Sequence, residues 1–156
     1  MRNILFVCLG NICRSPLAEA IMNDYIRHEG MTDLISCDSA GILNYHQGEP
    51  ADKRMKQHAK RRGYSITSIS RPVDPAKDFD RFDLIIGMDF QNIRDLKSMA
   101  RTKNDVGKIF LMTDFLKKSN FDSVPDPYFS GEEGFELVLD ILEKACKELL
   151  YQLKEE

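Results

Sequence analysis

Two cysteines, an arginine and a serine crowd into one short stretch near the start of the chain, "VCLGNICRSP" from Val7 to Pro16. Gly10 and Asn11 tolerate left-handed backbone angles, so the loop they occupy can curl the N–H groups of Leu9, Gly10, Asn11, Ile12 and Cys13 around an anion. Arg14 follows at the rim, where its planar fork of donors matches two oxygens of a tetrahedral oxyanion such as phosphate. A cysteine on the floor of such a cradle, Cys8, is held as a thiolate, and a thiolate facing a phosphoryl group is a nucleophile. A helix terminus alone stabilises a nearby anion by at most about 2 kcal/mol, so loop amides, the Ser15 hydroxyl and the Arg14 charge must converge on the sulfur.

Two blander assignments compete. The nucleotide-binding pattern GxxxxGK[ST] is absent, because no lysine follows the glycine. A buried structural cysteine is the other, but a strand before the loop, Gly-Asn within it and Ser-Pro after the arginine are independent requirements that such a cysteine does not need.

Phosphoryl transfer to sulfur expels an oxygen that needs a proton, so an acid must reach over the cradle. The best candidate is Asp126 in "VPDPYF", residues 124–129, pinned between two prolines beside Tyr128 and Phe129. An aspartate between prolines is often only a turn former, and the cradle is what turns the weighting toward catalysis. Cys8 ionised while Asp126 holds a proton implies activity that leans to acidic pH.

These residues need a scaffold. "NILFV", residues 3–7, is a short apolar run ended by a turn signal, as expected for a buried parallel strand. Ser15 reads as the N-cap of the next helix, with Pro16 at its first position and Glu19 in its first turn. A second strand is expected at "LISCDS", residues 34–39, a third at "FDLIIGM" from Phe82 and a fourth at "KIFLM" from Lys108. Helices are expected at "ADKRMKQHAKRRGY", whose basic residues suit a solvated face, and at "FQNIRDLKSM". The closing "FELVLDILEKACKELLYQL" puts Phe135, Val138, Leu139, Leu142, Cys146, Leu149, Leu150 and Leu153 on one stripe. Alternating strands and helices predict an α/β fold: a single-domain three-layer sandwich, its four-stranded parallel sheet carrying helices on both faces. Ligands bind such sheets at the carboxyl ends of the strands, where the phosphate-binding loop after the first strand lies.

Composition narrows the class. With 156 residues, 42% hydrophobic and 30% charged, the chain is the size and make-up of one globular domain. The net charge of -3 and the absence of tryptophan give no nucleic-acid surface. No apolar run reaches the length of a membrane span, and "ILFVCL" is too short to be an export signal. Cys8, Cys13, Cys37 and Cys146 have neither zinc-ligand spacing nor the density of a disulfide scaffold, so no metal or other cofactor is expected and a cytoplasmic location is.

Together "VCLGNICRSP" and the "DPYF" of residues 126–129 resemble the low molecular weight protein tyrosine phosphatase family, and "DSAG" after the second strand and "FDLIIGMD" at the third extend the match over nearly the whole chain. The resemblance implies Cys8 as the nucleophile that forms a cysteinyl phosphate, Arg14 as the phosphate clamp and Ser15 as the hydroxyl that stabilises the thiolate. It implies Asp126 as general acid and later base, Asn11 and Ser39 as the pair that holds the loop's shape, and Tyr45 and Tyr128 as rim residues flanking a phosphotyrosine ring. The implied partners are phosphotyrosine proteins, with phosphate and other oxyanions as competitive ligands, acting on a monomer or weak dimer. A protective Cys8–Cys13 disulfide is implied as well. Two departures stand out: Phe129 replaces the second tyrosine of the family's "DPYY", and Ser68 lies where some relatives carry a loop-supporting histidine.

Relatives with other chemistry are weighed against this. Arsenate reductases of the same fold need a relay of further cysteines near the third strand, and residues 75–105 have none. Phosphoarginine phosphatases carry threonine where this chain has Ile12, which favours aryl phosphates. A module that only captures phosphotyrosine needs neither Cys8 nor Asp126.

Overall fold

The computed structural model describes residues 1–156. Its hub is β1 (Arg2–Cys8), which is flanked on one side by β2 (Ile35–Gly41) and on the other by β3 (Leu84–Gly87), with β4 (Ile109–Leu111) outermost. All pairings are parallel, and the register sets Cys8 opposite Gly41 and Val7 opposite Gly87. Successive strand residues face opposite ways, so a central strand covered on both sides must be apolar throughout. Ile4 and Phe6 enter the larger core with α1 (Arg14–His28) and α6 (Glu132–Glu155); Leu5 and Val7 enter a smaller one with Phe79, Phe82 and Leu96. The expected three layers result.

The larger core is closed by α1 against α6. Leu17, Ile21 and Met22 meet Leu139, Leu142 and Cys146, all without solvent exposure. Each large apolar side chain so buried stabilises the fold by roughly 1.5–3 kcal/mol. The Cys146 thiol donates to the Ala18 carbonyl at 3.7 Å, and the residue packs in the stripe expected of it.

Between β2 and β3 lie α2 (Lys53–Arg61) and α3 (Pro75–Arg81); α4 (Phe90–Met99) and α5 (Lys103–Val106) follow β3. The short α3 and α5 were not expected from the sequence. Neither is long enough to show a helical period, although each has its cap, Asp74 for α3 and Thr102 for α5. The second strand runs to Gly41 rather than ending at 39, and α6 starts at Glu132 rather than Phe135. Lys53, Lys56, Lys60 and Arg61 are exposed on α2 as expected. Arg62 instead folds onto α6, 2.8 Å from Glu136 and 2.9 Å from Asp140. No helix is long and apolar enough to cross a membrane.

Candidate active site

The loop between β1 and α1 lies at the carboxyl edge of the sheet, and it is held from outside by its carbonyl groups. Ile42 N–H donates to the Cys8 carbonyl at 3.0 Å, Leu43 N–H to that of Leu9 at 2.9 Å and Asp52 N–H to that of Ile12 at 2.8 Å. The Ser70 hydroxyl donates to the Gly10 carbonyl at 3.0 Å. With no cis peptide bond in the chain, the carbonyl and N–H of each peptide unit point opposite ways. The N–H groups of Leu9, Gly10, Asn11 and Cys13 therefore face away from these tethers, and none donates to a protein acceptor. A run of N–H donors left without protein acceptors is what the anion cradle expected from the sequence requires.

Asn11 is the one non-glycine residue with positive φ, 57°. That left-handed geometry is strained for an L-residue and must be held. The Asn11 side-chain amide donates to Ser15 Oγ at 2.8 Å and Ser39 Oγ at 3.0 Å, while its oxygen accepts from Arg71 N–H at 3.0 Å. Ser39 in turn donates to Glu19 at 2.6 Å. Glu19 is thus turned sideways to the loop support, not toward the helix start, and its carboxyl is pushed up, chiefly by burial. Gly41 gives the loop room from behind: a Cβ there would lie 3.1 Å from both Asn11 Cβ and the Gly10 carbonyl carbon, a tight contact that would push on the loop.

Cys8 Sγ lies 3.0 Å from Ser15 Oγ and 3.4 Å from the Ser15 N–H. Ser15 is not the N-cap expected from its sequence position. The helix starts at Arg14, two residues earlier than expected, with Cys13 as its uncapped neighbour, because the Ser15 hydroxyl faces the sulfur and Asn11 instead of the helix amides. Arg14, almost wholly buried, extends Nη1 to Asp89 at 2.7 Å and to the Val124 carbonyl at 3.1 Å, and Nη2 to Asp126 at 3.5 Å. Burial opposes its charge, but Cys8, Asp89 and Asp126 outweigh burial and push the guanidinium pKa up. The Cys13 thiol is pushed up as well, first by burial and then by Asp52 and Cys8, so it stays protonated.

A cleft of about 240 Å³ opens over Cys8, lined by Leu9, Ile12, Cys13, Arg14, Asp126 and the aromatic rim. Tyr45 and Tyr128 border it as expected, and Phe129 stands 96% exposed with its ring edge-on to Tyr128. A larger cavity of about 550 Å³ lies beside α1 among Glu19, Asn23, Cys37 and Ser68, away from Cys8. The structure therefore brings Cys8, Leu9, Gly10, Asn11, Ile12, Cys13, Arg14, Ser15, Ser39, Tyr45, Asp126 and Tyr128 to one end of the sheet.

Besides Ser70 and Arg71, three further contributors carried no functional expectation from the sequence. Asp89 accepts from Arg14 with one carboxylate oxygen and caps α4 with the other, receiving Asn92 N–H at 2.8 Å. Its only sequence signal was a helix-capping position at the end of "FDLIIGMD". His46 lines the cleft with its imidazole 2.7 Å from Glu49. Arg54 donates to the Tyr128 carbonyl at 2.9 Å and lies over the Tyr128 ring, tying α2 to the loop that carries Asp126.

The sequence model of the family described as low molecular weight phosphotyrosine protein phosphatase matches residues 3–156. The chain is 48% identical to a solved protein tyrosine phosphatase from Entamoeba histolytica, with a TM-score of 0.95 over 99% of this chain and 98% of that one. It is 40% identical to the low molecular weight protein-tyrosine-phosphatase YfkJ of Bacillus subtilis, over 100% of this chain and 98% of the relative. A solved Drosophila arginine phosphatase is 32% identical with a TM-score of 0.91, covering 99% of this chain and 98% of its own. The chain belongs to the low molecular weight phosphotyrosine protein phosphatase family.

Proposed function

We propose that the protein removes phosphate from phosphotyrosine in proteins through a covalent phosphocysteine. The observation that carries this reading is the convergence of Cys8 Sγ with the Ser15 hydroxyl at 3.0 Å, beneath a cradle rimmed by Arg14 and Asp126. Cys8 attacks phosphorus as thiolate, the bond from phosphorus to the aryl oxygen breaks, and Asp126 gives that oxygen its proton. Water then attacks phosphorus, the P–S bond breaks, Asp126 takes the water's proton, and inorganic phosphate leaves. Cradle amides and the Arg14 fork hold the equatorial oxygens, whose charge is greatest in transit.

The apolar and aromatic lining from Leu9, Ile12, Tyr45 and Tyr128 suits an aryl group. Similarity to the Drosophila arginine phosphatase keeps phosphoarginine as a second reading, against which Ile12 argues because it offers no hydroxyl to the leaving nitrogen. Turnover of p-nitrophenyl phosphate in EDTA is expected of the wild type and lost in Cys8→Ser; an inactive wild type or an active Cys8→Ser defeats the mechanism. Rates on phosphotyrosine, phosphoarginine and phosphoserine peptides separate the substrate classes.

Peroxide adds a redox branch. It oxidises the Cys8 thiolate to a sulfenic acid, with which the Cys13 thiol condenses to a disulfide and water. Peptide mapping after peroxide is expected to recover Cys8 linked to Cys13; finding Cys8 over-oxidised with Cys13 free removes the protective role.

A further inference from the structure

Of the cradle carbonyls that are tethered from outside, three accept from backbone N–H groups, which only a substitution by proline removes. The Gly10 carbonyl differs: its protein donor is the Ser70 side chain. The peptide unit it belongs to also carries the N–H of Asn11, the residue in the left-handed conformation. Rotating that unit by half a turn would relax Asn11 toward negative φ, and Gly10 accepts almost any ψ, so the rotation has an intrinsic driving force. It would also swing the Asn11 N–H out of the cradle and the Gly10 carbonyl oxygen in, where it faces an anion.

We infer that Ser70 is a positioning residue of the oxyanion cradle: by holding the Gly10 carbonyl outward it keeps the Asn11 N–H aimed at the bound phosphoryl group. The hydroxyl is built for this. Ser70 is 4% exposed, and its backbone is fixed on both sides, its N–H donating to the Glu49 carbonyl and its carbonyl accepting from Gly48 N–H, each at 2.9 Å. Glu49 and Gly48 close the loop that carries Tyr45 and His46, so the same serine ties the rim of the cleft to its floor. Arg71, the next residue, donates its N–H to the Asn11 side chain, which places two restraints on Asn11 from one short segment.

The inference rests on the phosphatase reading for its catalytic consequence but not for its binding one. Inorganic phosphate binding, measured by calorimetry, and turnover of p-nitrophenyl phosphate are compared in wild type, Ser70→Ala and Ser70→Thr, with thermal melts on each. Loss of one buried hydrogen bond corresponds to about a tenfold change. Ser70→Ala is expected to bind phosphate about tenfold more weakly and to lose a similar factor in kcat/KM while remaining folded. Ser70→Thr, which keeps the hydroxyl, is expected to recover most of both. If Ser70→Ala does not fold, Ser70→Cys, with a weaker donor of similar size, takes its place and is expected to fall between. Folded Ser70→Ala that binds phosphate as the wild type does, or equal losses in the Ala and Thr variants, overturns the inference. A wild type that binds phosphate without hydrolysing aryl phosphates defeats the phosphatase reading alone; one that binds no phosphate defeats both.

Discussion

The two loops that meet over the cleft are built in opposite ways. In the loop from Leu9 to Cys13 the last three residues are buried, and the carbonyls of Leu9, Gly10 and Ile12, the Asn11 side chain and the Cys8 sulfur beside them are engaged by neighbours. The loop carrying Asp126 is anchored at a few points, Val124 by Met88 and Arg14, the Asp122 carbonyl by Thr113, and the Tyr128 carbonyl by Arg54. Between the buried Val124 and Pro127 and beyond them, Asp126, Tyr128 and Phe129 face solvent. A nucleophile and its oxyanion donors gain from fixed geometry, because reorganisation at the moment of reaction is avoided. An acid that must admit a protein side chain and then release phosphate gains from a tethered arm. Substitutions in the first loop should therefore damage binding and chemistry together, and those in the second should damage chemistry alone.

Arg14→Lys gives the sharpest test. The charge survives but the fork that spans Asp89, Val124 and the anion does not, and kcat/KM is expected to fall by about 100- to 1000-fold with phosphate affinity falling too. Retained phosphate affinity would blur the division between the loops. Asp126→Asn is expected to lower kcat about 100-fold on phosphotyrosine and far less on p-nitrophenyl phosphate, whose leaving group needs little protonation, with phosphate binding intact. Equal losses on the two substrates would move the acid elsewhere. Arg54→Ala is expected to have the smallest effect, a several-fold drop in kcat, since it loosens the Tyr128 carbonyl without touching the cradle. A matching loss of phosphate affinity in that variant would mean that the two loops are mechanically one.

What the sequence makes legible follows the same division. The cradle is local in sequence: strand, Gly-Asn turn, arginine and helix start lie within a few residues of one another, and each has a signal of its own. Asp126 is legible because two prolines mark it. Asp89 lies 75 residues from the arginine it holds, and only the order of the sheet, β3 beside β1, brings them together. Ser70 lies 60 residues from the carbonyl it tethers, in a segment with no helix or strand period to announce it. Ser15 misled for a different reason. Its type and its neighbour proline both fit a helix cap, so two roles were expected of one hydroxyl, and the sulfur of Cys8 with the amide of Asn11 claims it in place of the helix amides. The need for several donors on Cys8 and the family resemblance both assign the Ser15 hydroxyl to the sulfur, and the two atoms lie 3.0 Å apart.

Asp89 divides its carboxylate between the Arg14 guanidinium and the first turn of α4. Local opening of that turn releases the restraint on Arg14, and by reciprocity any anion that immobilises Arg14 must oppose the opening. The amide protons of Asn92 and Ile93, which make no contact with the cleft, should then exchange with solvent deuterium more slowly when phosphate is bound. Occupancy of the site would be recorded as isotope retention on a helix outside it.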